Sequence, residues 1–165
     1  MNNIDKKLNK SPLFAMSKGS MELFHSNFWS WLINEIDNEY VLAFVKDKMI
    51  YLNNIQNAER EKKHTDILIN YGKQAIIIEN KIKSLPDKNQ LKKYEESIGK
   101  NFYFGVCVYP YDFEDDIILE NWSFITYDEI LNGIERIAIK NKQKLLDNVD
   151  INGEFCYDLI CNMLI

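Results

Sequence analysis

The chain has 165 residues, 46% of them apolar and 27% charged, with a formal net charge of −5. These values are ordinary for a soluble globular protein and predict one domain, residues 1–165, long enough to bury a substantial core. The three cysteines (Cys107, Cys156, Cys161) are odd in number, lie in apolar surroundings and lack paired Cys/His spacing. The spacing suggests no zinc site, a reducing compartment is expected, and the cysteines read as core residues.

The N-terminus is polar, with no signal-peptide apolar region, and no apolar run approaches the roughly 20 residues needed to cross a bilayer, so a cytoplasmic protein without membrane contact is expected. The first long element is a helix over about 20–35. Ser20 is placed as an N-cap, and Phe24, Phe28, Trp31 and Leu32 recur at helical spacing. A second sector holding Glu22, His25, Ser26, Trp29 and Ile33 suggests a helix covered on both sides, packed under a sheet. A further helical stretch is expected over about 40–52, then a weak strand over 54–60.

Residues 64–81 carry the main signal. Gly72-Lys73 is a Gly-first pair suited to a type II′ turn, so that Tyr71 pairs with Gln74 and Asn70 with Ala75. Continued down the ladder, this register sets Asp66 opposite Glu79. Alternation of side chains then sends Lys81 to the same face as both acids. The stretches 67–69 and 75–78 are apolar on both faces, as in a central strand, where charges are costly to bury unless they are paired or hold a metal. Two carboxylates beside a lysine suit a hard divalent cation with an anionic substrate nearby, the chemistry of phosphodiester hydrolysis. Glu59 and Glu61, just upstream, read as surface acids.

Ser84-Leu85-Pro86-Asp87 signals a helix start, and the helix over about 87–98 ends at Gly99. Strands are expected over 101–109 and 122–126, with an acidic loop over 112–120 between them. Two helices close the chain, over about 128–141 and 153–163. Its apolar end carries no stop signal and leaves open that the chain continues into a longer protein.

The overall negative charge speaks against a nucleic-acid partner, but its distribution does not. Residues 60–93 hold nine basic residues against four acids, a local +5, which leaves −10 on the remainder. The positive segment is centred on the carboxylate pair.

The order helix, three strands, helix, strand resembles the PD-(D/E)XK nuclease superfamily, with its α-β-β-β-α-β core of a central mixed sheet flanked by helices. Within that superfamily, four stretches resemble a bacterial branch with an early helix Glu, a Glu-Asn-Lys strand and a Gln-Leu-x-x-Tyr helix. They are residues 21–32, Thr65-Asp66-Ile67-Leu68-Ile69, Ile78-Glu79-Asn80-Lys81-Ile82 and Gln90-Leu91-Lys92-Lys93-Tyr94. The core would span about 20–126, with the helices over 128–165 added. Thr65 stands where the family's nominal proline would be.

The resemblance implies that Asp66 and Glu79 ligate Mg²⁺ or Mn²⁺ together with the carbonyl of Asn80, and that Glu22 adds a ligand, direct or through water. Lys81 would orient or help deprotonate water and stabilise charge on the phosphate, and Gln90 would lie near the active site. Lys83, Lys92, Lys93, Tyr94 and His25 are candidate substrate contacts; for His25 a packing role is the stronger expectation, and Tyr94 also suits the core. The activity expected is metal-dependent hydrolysis of nucleic acid, DNA ahead of RNA, with a homodimer left open. The alternatives are a nuclease-fold module that binds or regulates without cutting, and a structural α/β domain.

Overall fold

The computed structural model describes residues 21–46, 48–81, 87–109 and 119–141. Five strands form one sheet in the order β1-β2-β3-β4-β5: β1 (Ile55–Arg60), β2 (Ile67–Tyr71), β3 (Gln74–Asn80), β4 (Phe102–Tyr109) and β5 (Trp122–Thr126). The first three run as an antiparallel meander, while β3–β4 and β4–β5 are parallel. With helices on both faces this is the mixed α/β sheet of a restriction-endonuclease-like fold, as the order of elements predicts. Parallel pairs need a crossover. Helix α2 (Lys88–Ile98) supplies the one between β3 and β4.

Alternation along the strands separates two cores. Ile67, Ile69, Tyr71, Ile76, Ile78, Phe104, Val106, Val108 and Ile125 face helices α1 (Met21–Trp31) and α3 (Tyr127–Lys140). Leu68, Ala75, Ile77, Cys107 and Trp122 face the other way, against Leu91, Tyr94 and Ile98 of α2. Every second residue of β2 and β3 therefore belongs to one helix layer or the other. This is why the stretches 67–69 and 75–78 are apolar on both faces.

Helix α1 ends in a wide π turn over Leu32–Ile36. The side chain of Asn34 there accepts from the Ala58 N–H and donates to the Ala58 carbonyl, each at 2.8 Å. Strand β1 lies at the edge of the sheet, and this amide satisfies part of that edge. Helix α3 starts with a reciprocal cap, in which Thr126 and Glu129 each accept from the other's backbone N–H. Ile130, Ile134 and Ile137 form its buried stripe.

One expectation is corrected. The helix placed over 40–52 is a 3-10 segment, Asn38–Phe44, after which Val45 is extended. Tyr40, Val41, Ala43 and Phe44 are buried but Lys46 and Lys48 are exposed, so no apolar stripe carries a helix onward. Asp87, whose side chain accepts from the Asn89 N–H, caps α2. The predicted starting residues 84–86, the acidic loop over 112–118 and the helix over 153–163 lie outside the described residues.

Candidate active site

The hairpin register is the expected one. Tyr71 pairs with Gln74 and Ile67 with Ile78, so the next pair beyond the ladder is Asp66 and Glu79. Gly72 has φ +58 and Lys73 has no positive φ, the pattern of a type II′ turn. Asp66 follows a tight turn in which Glu61, Lys63 and His64 adopt left-handed backbone conformations. Thr65, in the nominal proline position, is buried and donates to the Lys62 carbonyl.

Glu79 is 3% exposed and Lys81 9%, and both face the α2 layer. The Lys81 Nζ lies 2.7 Å from Glu79 Oε1 and donates to Gln90 Oε1 at 2.9 Å. Gln90 Nε2 and the Tyr94 hydroxyl donate to the same Glu79 oxygen at 3.2 and 3.3 Å. Glu79 Oε2, by contrast, is buried without a hydrogen-bond partner. A buried carboxylate oxygen left in this way is costly unless something binds it. Asp66 joins from β2's start, its Oδ2 accepting from the Asn80 N–H at 2.6 Å.

Burial, and then the negative charge of Asp66, raise the Glu79 carboxyl to about 7, outweighing the pull of Lys81. Burial works against the Lys81 ammonium as well, yet the hydrogen bond and charge of Glu79, with Asp66, hold it above the ordinary lysine range. Lys81 is thus a fixed cation and donor. Cys107, the β4 partner of Glu79, is pushed up to about 12 by burial and then by the Glu79 charge, so its thiol stays protonated.

The structure brings Asp66, Glu79, Lys81, Gln90, Tyr94 and the backbone of Asn80 together. Glu22 begins α1, but its side chain is not among those described, and Lys83 also lies outside the described residues. Lys92 and Lys93 are exposed on α2. His25 lies on the other side of the sheet, with Nδ1 2.9 Å from the hydroxyl of Tyr127. That hydroxyl donates in turn to Asn80 Oδ1.

Sequence reasoning passes over Tyr127. Only the parallel pairing of β3, β4 and β5, which aligns Asn80 with Val108 and Tyr109 with Thr126, brings it beside the site. Among the described residues no group of three His, Cys, Asp or Glu side chains forms a metal cluster. The donors available are two carboxylates, one with an orphaned buried oxygen, and backbone carbonyls. Such hard oxygen donors fit Mg²⁺ or Mn²⁺ better than a softer metal.

An acidic pair, a buried lysine and an orienting glutamine at the end of a meander with a parallel extension define a protein of the restriction-endonuclease-like class. The family model of the PD-(D/E)XK nuclease superfamily matches residues 12–149, and the chain belongs to that superfamily. No curated protein and no solved structure matches it. Among the described residues no helix is long and apolar enough to cross a membrane.

Proposed function

We propose that this chain is a metal-dependent nuclease that hydrolyses phosphodiester bonds of nucleic acid, DNA in preference to RNA, in a single domain. The observation that carries this reading is the pairing of half-buried Asp66 with buried Glu79, whose Oε2 is unpartnered beside a hydrogen-bonded Lys81 and Gln90. Asp66, Glu79 and the Asn80 carbonyl would hold Mg²⁺ or Mn²⁺, with Glu22 added from α1. When bound, that ion supplies Lewis acidity to the phosphate and an acidified water.

The protein's residues do the rest. Lys81, held charged, donates to a phosphate oxygen and stabilises the charge that builds up in the transition state. The charge of Glu79 and Asp66 favours its protonated form, which suits a donor to phosphate. Gln90 touches both Lys81 and Glu79 and keeps the two in register. The exposed lysines of the 60–93 segment meet the phosphate backbone.

The test is cleavage of single-stranded, double-stranded and branched DNA, and of RNA, with Mg²⁺ or Mn²⁺ and with EDTA. Activity is expected with either metal and none in EDTA. Asp66→Ala and Glu79→Ala should abolish both metal binding and cleavage while remaining folded. Lys81→Ala should keep the metal and lose roughly 10²- to 10³-fold in rate. Metal uptake without cleavage of any substrate would replace this reading with a module that binds but does not cut.

A further inference from the structure

Asn80 has its side chain on one face of the sheet and its peptide on a catalytic contact. The residue is 2% exposed, and alternation sends its side chain to the α1/α3 face, opposite to Glu79 and Lys81. There the hydroxyl of Tyr127, the first residue of α3, donates to Asn80 Oδ1. The Asn80 N–H meanwhile donates to Asp66 Oδ2 at 2.6 Å. One residue thus ties a site carboxylate to the helix layer behind the sheet.

Tyr127 is itself held in place. Its hydroxyl lies 2.9 Å from His25 Nδ1, its ring meets the imidazole edge-on at 5.1 Å between centroids, and Trp29 flanks it at 5.8 Å. Because the hydroxyl proton goes to Asn80, the oxygen accepts from His25, which fixes the imidazole as the Nδ1–H tautomer. Burial depresses the pKa of His25 and favours this neutral form. The direction of the chain is therefore His25 to Tyr127 to Asn80, and then from the Asn80 peptide to Asp66.

We propose that Tyr127, oriented by His25, is a positioning residue that locks Asn80 from behind the sheet and so fixes Asp66 and the Asn80 peptide in the geometry the site needs. The functional part of this inference rests on the nuclease reading; the anchoring does not. Losing a donor to a buried amide oxygen is costly, and the strand end it terminates is freed to shift. Groups that orient ligands in this way are worth about 10- to 100-fold in metal affinity.

The experiment compares wild type, Tyr127→Phe, His25→Asn, which keeps a donor near the Nδ1 position, and His25→Leu. Three quantities are read: amide hydrogen exchange at Asn80 in the metal-free protein, global stability in urea, and Mn²⁺ affinity by calorimetry. Tyr127→Phe and His25→Leu should speed exchange at Asn80 on the order of tenfold beyond any change at Ile69 or Ile77, and weaken Mn²⁺ binding at least about tenfold. His25→Asn should restore both. If Asn80 exchange changes only in step with the rest of the sheet, or Mn²⁺ affinity is unchanged, Tyr127 is a packing residue and the proposal falls. If Asn80 responds locally but wild type takes up no Mn²⁺, the anchoring stands and the nuclease reading alone fails.

Discussion

At the scale of single residues, Glu79 has the sharpest consequence. Its carboxyl ionises at about 7 in the folded protein, against 4.5 for an ordinary glutamate. Between those values the folded chain holds a proton that the unfolded chain has lost. The contribution of this group to metal-free stability is therefore fully present below about 4.5 and is lost as pH rises through about 7. A divalent cation needs the carboxylate, so its binding at pH 6 should release close to one proton, and at pH 8 almost none. Mn²⁺ affinity should rise by about tenfold per pH unit up to about 7 and then level off, whereas Glu79→Gln should bind weakly with no such slope. Calorimetry in buffers of different ionisation enthalpy counts the protons. Equal proton release at both pH values would show that Glu79 is already ionised in the free protein.

At the scale of elements, the hairpin was legible because turn chemistry and period-two alternation both act locally. The Gly72 turn fixes the register, and the register fixes which face Glu79 takes. The helix expected over 40–52 failed because its first four buried residues resemble a helix start, while the exposed lysines that follow give it nothing to pack against. Tyr127 was hidden for another reason: its contacts with His25 and Asn80 span 102 and 47 residues, distances no local pattern reports. A similar long-range constraint acts at Gly105 of β4. A Cβ there would lie 2.4–2.5 Å from ring carbons of Trp122, its partner on β5. The Trp122 indole also donates to Glu95 of α2 at 2.7 Å, so the ring has little freedom to move aside. Gly105→Ala should destabilise by roughly 1–3 kcal/mol, read as a lowered urea midpoint with altered tryptophan fluorescence. An unchanged midpoint would mean that β5 slides to accommodate a methyl group.

Over the whole molecule, charge is divided unevenly, and the division follows the fold. The net −5 hides a local +5 over residues 60–93, a segment that includes the hairpin, the turn before it and the start of α2. Lys62, Lys63 and Lys73 border a cleft of about 280 Å³ whose floor includes Leu68 and Ala75, on the same face of the sheet as Asp66 and Glu79. The Lys63 ammonium donates to the Ser97 carbonyl, and Lys62 is paired with Glu59. Lys140, by contrast, sits on α3 over the opposite face and is paired with Glu39. On the proposed reading, a phosphate backbone bound across the carboxylate face would displace counterions from the first set and leave Lys140 untouched. In EDTA, which on the proposed reading blocks cleavage, binding of a labelled duplex should weaken with salt. Lys63→Gln and Lys73→Gln should each reduce the slope of log affinity against log salt by about 0.9. Lys62→Gln should reduce it less, because Glu59 already neutralises that charge, and Lys140→Gln should leave it unchanged. Equal slopes for all four variants would place the nucleic acid on another surface, and the positive segment would then be only a solvated face.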